Sequence, residues 1–119
     1  MSRNRIAIVA VVVIAFVVVA GYLIYKNQSG GGQNVSIDVT VTHGDTMKPV
    51  EWDAHQNDMV TVHLTSDMDG EVHLHGYDIA FENKAGVVTT KTFKADKTGD
   101  FPIEWEDTSA HLGHLVVAP

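Results

Sequence analysis

His73-Leu74-His75-Gly76-Tyr77 and, near the C-terminus, His111-Leu112-Gly113-His114 are the segments of this 119-residue chain best suited to chemistry. Imidazole is the commonest protein ligand for borderline transition metals. In an extended segment side chains repeat every two residues, so His73 and His75 share one face. The second cluster can complete a site from across the fold, which makes His73, His75, His111 and His114 the candidate metal ligands. The chain contains no Cys. Any such site therefore lacks thiolate, which restricts both the metal and its redox behaviour.

The elements that must hold these residues begin with an appendage. Residues 6–25 (IAIVAVVVIAFVVVAGYLIY) carry no charge. As a helix rising about 1.5 Å per residue they span roughly 30 Å, the thickness of a bilayer's hydrocarbon core. Arg3 and Arg5 precede them, so the positive-inside rule keeps residues 1–5 in the cytoplasm and sends the remainder across. The expectation is a single-pass cell-membrane protein with an extracytoplasmic C-terminal domain. A cleaved signal peptide is the competing reading, with Val18-Val19-Ala20 as a weak cleavage site, but the apolar run outlasts the roughly 7–15 residues of a signal core. A lipoprotein is excluded because lipidation there requires Cys.

Residues 26–34 (KNQSGGGQN) form a polar, Gly-rich tether. The folded domain is then 35–119. All fifteen Asp and Glu lie within it, whereas Arg3, Arg5 and Lys26 precede it, leaving five Lys and a formal charge of about −10. Nucleic acid demands a basic surface, so it is not an expected partner. Cations and a basic partner protein suit this charge. With no disulfide possible, the fold must rest on its core alone.

That domain reads as strands. Val35, Ile37, Val39 and Val41 alternate with polar residues, as do Val60, Val62 and Leu64. Gly44 to Asp58 reads mostly as connection, and Asp67 to Glu71 as a tight reversal. Val72 to Phe81 is expected as a strand broken near Gly76, with Val87 to Ala95 another. Phe101, Ile103 and Trp105 alternate, and Leu115 to Val117 form the last strand. About seven short strands at 8–12-residue spacing indicate an antiparallel β-sandwich.

Residues 35–119 resemble the cupredoxin family of small Greek-key copper proteins. His75-Gly76-Tyr77-Asp78-Ile79 is similar to the family's segment carrying the first copper histidine. Gly99-Asp100-Phe101-Pro102-Ile103-Glu104-Trp105 is similar to its Gly-x-aromatic-x-aliphatic-x-Cys strand, and His111-Leu112-Gly113-His114-Leu115-Val116-Val117 to its Met-x-Gly-x-aliphatic-x-Val ending. The resemblance implies an all-β Greek-key β-sandwich (cupredoxin-like) preceded by one N-terminal transmembrane helix. It also implies copper as the ion, since imidazole alone suits zinc equally.

The departures shape the functional expectation. Trp105 stands where the family has its Cys ligand, and His111 where it has its axial Met. A blue-copper site needs a Cu–thiolate bond, so blue-copper electron transfer is not expected. His75 leads the ligand set, His73 chelates with it or supports it, and His111 arrives as the third. Glu104 and Glu106 alternate with Trp105 and face away from it, with Glu106 or Asp107 available as a carboxylate. The alternative stays open that Trp105 fills the space a copper ion would use, leaving a metal-free sandwich. His43, His55 and His63 read as surface residues, and Met47, Met59 and Met68 as packing or surface. Neither a nucleophile motif nor a zinc-protease motif occurs, so catalysis is not expected. The reading is copper sequestration or delivery at the outer membrane face, with a metal-free partner-docking module as the alternative.

Overall fold

The computed structural model describes residues 32–119. The expected cytoplasmic segment 1–5, the expected membrane span 6–25 and the tether as far as residue 31 lie outside them. Nine strands follow in chain order: β1 (Asn34–Thr42), β2 (Thr46–Lys48), β3 (Glu51–His55), β4 (Met59–Ser66), β5 (Gly70–Leu74), β6 (Ile79–Asn83), β7 (Thr89–Lys94), β8 (Gly99–Trp105) and β9 (Ala110–Ala118). They form a four-stranded sheet, ordered β2-β1-β4-β7, and a five-stranded sheet, ordered β3-β9-β8-β5-β6. The described region is all-β, a sandwich of these two sheets. β1 with β4 and β3 with β9 run parallel, and the other pairs antiparallel.

Period-two patterning drives the assembly. Val60, Val62 and Leu64 on β4, Val72 and Leu74 on β5, and Ile103 on β8 have no exposed surface. Each such burial stabilises by about 1.5–3 kcal/mol. Trp52 meets the edge of Phe81 in the middle of the core, with ring centroids 6.0 Å apart.

The segment Gly44 to Asp58, expected as mostly connection, holds both β2 and β3. The pattern Glu51-Trp52-Asp53-Ala54-His55 buries alternate residues, but it has only two apolar positions and its partner is the distant β9. Val72 to Phe81 proves to be a hairpin, because Gly76 and Asp78 adopt left-handed φ of 84° and 54° and reverse the chain between β5 and β6. β9 begins at Ala110, earlier than expected. A bulge lies opposite Ile103 and Glu104, where Ile103 pairs with Gly113 and Glu104 with His111. The extra residue, Leu112, turns inward with Gly113.

Two places show how tightly the ends are tied. Asp58 is buried near the tether, and its carboxylate accepts hydrogen bonds from the backbone N–H of Gln33 (2.6 Å) and His55 (2.8 Å). At the opposite end the Trp105 indole, 2% exposed, lies against Gly44 and Gly70. A Cβ on Gly70 would fall 2.1 Å from Trp105 Cζ2, whereas Gly86 (φ 77°) has open space around it. Gly70→Ala is therefore expected to cost about 2–4 kcal/mol through overpacking. Gly86→Ala should cost only about 1 kcal/mol of backbone strain. Urea denaturation of both variants measures the difference.

Candidate metal centre

The site is set by how β5 lies on β8. Val72 pairs with Trp105, His73 with Glu104 and Leu74 with Ile103. Because Val72, Leu74, Ile103 and Trp105 face the core, His73 and Glu104 must face outward. His75 continues on the outer side, its N–H donating to Pro102 O (3.0 Å). The two imidazole rings pack edge to face, centroids 4.3 Å apart and planes at 66°.

Carboxylates meet these rings along the diagonals of the sheet, a reach open to long side chains. Glu106 Oε2 lies 3.6 Å from His73 Nδ1, and Glu104 Oε1 lies 2.5 Å from His75 Nε2. His73, His75 and Glu106 each offer a ligand atom within 4.8 Å of the other two. His73 Nδ1 and His75 Nε2 are buried and make no hydrogen bond among the described residues. His75 Nε2 thus meets the Glu104 carboxylate as an ion-pair contact rather than as a well-formed hydrogen bond. Buried polar atoms almost always have partners. Two ring nitrogens without a formed hydrogen bond, each facing a carboxylate, make a group that could hold a cation.

The outer edge of His73 is spoken for. Its Nε2 lies 2.9 Å from Asp78 Oδ1. An ionised carboxylate only accepts, so Nε2 carries the proton and Nδ1 keeps its lone pair toward His75 and Glu106. A carboxylate that orients the far nitrogen of an imidazole in this way is the usual support for a metal-ligating histidine. Asp78 reaches back because the turn is fixed. Tyr77 Oη donates to Lys97 O (2.7 Å) and accepts from Lys97 N–H (2.9 Å), while Lys97 Nζ donates to Gly76 O (2.9 Å). The Tyr77 ring stacks edge-on against Phe101 at 4.9 Å. Burial pushes the Tyr77 hydroxyl's pKa up, keeping it a donor.

The other two expected ligands are not among the residues whose ligand atoms lie within 4.8 Å of one another. Thanks to the bulge, His111 and His114 both lie on the outer face of the same sheet, opposite Glu104 and Pro102. His111 is exposed, and among the described residues no hydrogen bond or ion pair engages its ring. His114 is held at both ends, Nδ1 by Asp100 (2.8 Å) and Nε2 by Glu51 (3.1 Å). Carboxylates on opposite ring nitrogens cannot share one ion with that imidazole. Glu51 is itself raised in pKa, first by a hydrogen bond shared with Asp53 and then by that neighbour's charge, with His114 opposing. Asp107 is not part of the group. Asp78 was not singled out by sequence, although its place after Gly76-Tyr77 in a reversal was the available signal.

An interior thiolate copper site does not fit these residues. There is no Cys, and the Trp105 indole occupies the core at the position the resemblance gives to the Cys ligand. The outer-face group fits a borderline divalent ion instead, through two nitrogens and carboxylate oxygen.

No protein-family model matches the chain, and no curated protein does. Solved structures do. A multicopper oxidase, mgLAC, superposes with a TM-score of 0.56 at 19% identity, over 72% of this chain and 39% of its own. A blue copper oxidase from Nitrosomonas europaea gives 0.51 at 18% identity, over 73% and 39%. This domain has a cupredoxin-like fold. It spans about two-fifths of the length of these two oxidases. A chain from the structure of a heme-copper terminal oxidase dimer also matches, with a TM-score of 0.56 at 14% identity, over 98% of both chains.

The role of Asp78 is open to direct measurement. In ¹⁵N-resolved spectra above pH 7.5, His73 is expected as the Nε2–H tautomer. Asp78→Ala should shift it toward a mixture of tautomers; an unchanged His73 pattern would remove Asp78 from the account.

Proposed function

We propose that this chain is a membrane-anchored, extracytoplasmic cupredoxin-like protein that binds a divalent transition-metal ion on the outer face of its five-stranded sheet. Copper is the first choice and zinc the second. The residues that would hold it are His73, His75 and Glu106, with Asp78 orienting His73. The observation that carries the reading is the grouping of His73, His75 and Glu106, whose ligand atoms lie within 4.8 Å of one another, with no formed hydrogen bond on His73 Nδ1 or His75 Nε2 among the described residues. The anchor and its orientation rest on residues 6–25 and on Arg3 and Arg5.

Binding, storage and hand-over suit the site better than catalysis. It lies on an open sheet face. A groove of about 650 Å³ between β6 and β7, lined by residues such as Asp78, Glu82, Thr89 and Lys91, includes none of the histidines. When bound, the ion would supply a charge of opposite sign to the acidic surface. The protein's own residues hold its donors apart and keep one proton on the far side of His73. Absence of thiolate argues for sequestration or delivery in place of blue-copper electron transfer.

A second reading is favoured by one observation. The heme-copper terminal oxidase chain matches over 98% of both lengths, which supports a role as an accessory domain docked in a membrane oxidase assembly, with or without metal. It predicts that the chain co-migrates with a haem-containing complex on native gels, and that chelation leaves this unchanged.

Metal titration of the full chain tests the first reading. His73→Ala and His75→Ala should each weaken Cu(II) binding by roughly a hundredfold or more, while His111→Ala should change it less than about threefold. Equal effects at 73 and 111 would contradict the assignment. Ligation requires neutral imidazole, whose ordinary pKa is about 6.5. Lowering the pH from 7 to 5 protonates the ligands and releases the ion. Affinity should therefore fall at least tenfold over that interval in isothermal titration, and pH-independent uptake would exclude histidine ligation.

A further inference from the structure

Glu104 has a place in this site that neither its exposure nor its charge alone explains. It is the register partner of His73, yet its carboxylate leans along the strand to His75 Nε2. Its side chain is 29% exposed, against 53% for Glu106, so it is the more enclosed of the two carboxylates. Building on the metal-binding reading above, we propose that Glu104 is the fourth ligand. The centre is then an N₂O₂ site that holds Cu(II) or Zn(II) and does not retain Cu(I).

Three donors already stand within 4.8 Å of one another, and Glu104 lies outside that group while touching one of its members, His75. The tetragonal arrangement of Cu(II) brings neighbouring donors closer, and in the tetrahedral arrangement usual for Zn(II), ligand bonds of about 2.0–2.2 Å separate them by roughly 3.4 Å. His73 Nδ1 and Glu106 Oε2 stand at 3.6 Å, too long for a hydrogen bond and close to that spacing. The two diagonals, His73 with Glu106 and His75 with Glu104, run side by side across the β5–β8 pair. They bring each imidazole against one carboxylate, and Glu104 must swing toward Glu106 to join the three donors already grouped. A small rotation of the Glu104 carboxylate, which no other described residue holds by a hydrogen bond, opens its contact with His75 to the spacing an ion requires.

Chemistry supports the choice of oxidation state. Two neutral imidazoles and two carboxylates balance a divalent ion, whereas a monovalent ion would leave a net negative centre on an already acidic face. Cu(I) is soft and favours thiolate and thioether. The chain has no Cys. Met47 is buried in the core, Met59 begins β4 in the other sheet, and Met68 lies in the turn before β5. None of them belongs to the donor group. Carboxylate oxygen is hard and binds the divalent ions. An external one-electron donor of the ascorbate class, itself oxidised in the exchange, would convert Cu(II) to Cu(I), which this donor set would not retain.

The experiment uses the purified full chain, with Cu(II) and Zn(II) titrations and, under anaerobic conditions with ascorbate as reductant, competition for Cu(I) against a bathocuproine chelator. Wild type is expected to bind both divalent ions and to surrender all its copper to the chelator on reduction. Glu104→Gln should weaken Cu(II) and Zn(II) binding at least tenfold and alter the Cu(II) electron paramagnetic resonance parameters. Should that variant fail to fold, Glu104→Asp, which keeps the charge and withdraws the carboxylate by one methylene, should show the same change of resonance parameters. Glu104→Gln binding like wild type while His73→Ala loses the ion would overturn the role of Glu104 and leave the metal-binding reading intact. Loss in neither variant would overturn both. Retention of Cu(I) against the chelator would overturn the claimed selectivity.

Discussion

The register of β5 against β8 is the constraint on which the site depends. Val72 and Leu74 face Trp105 and Ile103 across that pair, and all four are at most 2% exposed. A slip of one residue would reverse every side chain. It would place His73, Glu104 and their neighbours in the core and the apolar set in water. At about 1.5–3 kcal/mol for each apolar side chain, such a slip would cost a large part of the stability of a small domain. The outward histidine–carboxylate patch is thus positioned by hydrophobic burial on the opposite face of the same strands.

Supporting contacts then narrow what the register permits. The bulge at Leu112 converts the odd spacing of His111 and His114 into a shared outer face. On that face His114 is consumed by Glu51 and Asp100, while His73 is oriented by Asp78 and left with a free lone pair. The distinction between a structural and a ligating imidazole lies here in its partners. Both nitrogens of His114 meet carboxylates from different strands, which ties β3, β9 and β8 together. His73 has one nitrogen committed and one open toward a second imidazole. At the end of the sandwich nearest Gly44 and Gly70, the Trp105 indole fills the interior, so the polar chemistry of this cupredoxin-like fold sits on the outside of the sheet.

Much of this was legible in the sequence, and for physical reasons. Period-two alternation gave β1, β4 and the inward ring of Trp105, and it placed His73 and His75 on one face. It also turned Glu104 and Glu106 away from Trp105. Three things could not be read that way. β3 has only Trp52 and Ala54 to bury, and its pairing with β9 is settled by tertiary packing. A break near Gly76 is legible, but not that the chain reverses there through Gly76 and Asp78 so that β6 pairs back on β5. Pairing of His73 with Glu104, on which the site depends, is a contact between residues 31 apart in sequence, and local pattern carries no information about it.

The most direct measurement is paramagnetic broadening in ¹H–¹⁵N spectra of the full chain on addition of substoichiometric Cu(II). Selective loss of the signals of residues 73–78 and 104–106, with those of 111–114 retained longer, is the predicted result. Broadening centred on His111 and His114, or spread evenly over the acidic surface, would contradict a site organised by the β5–β8 register.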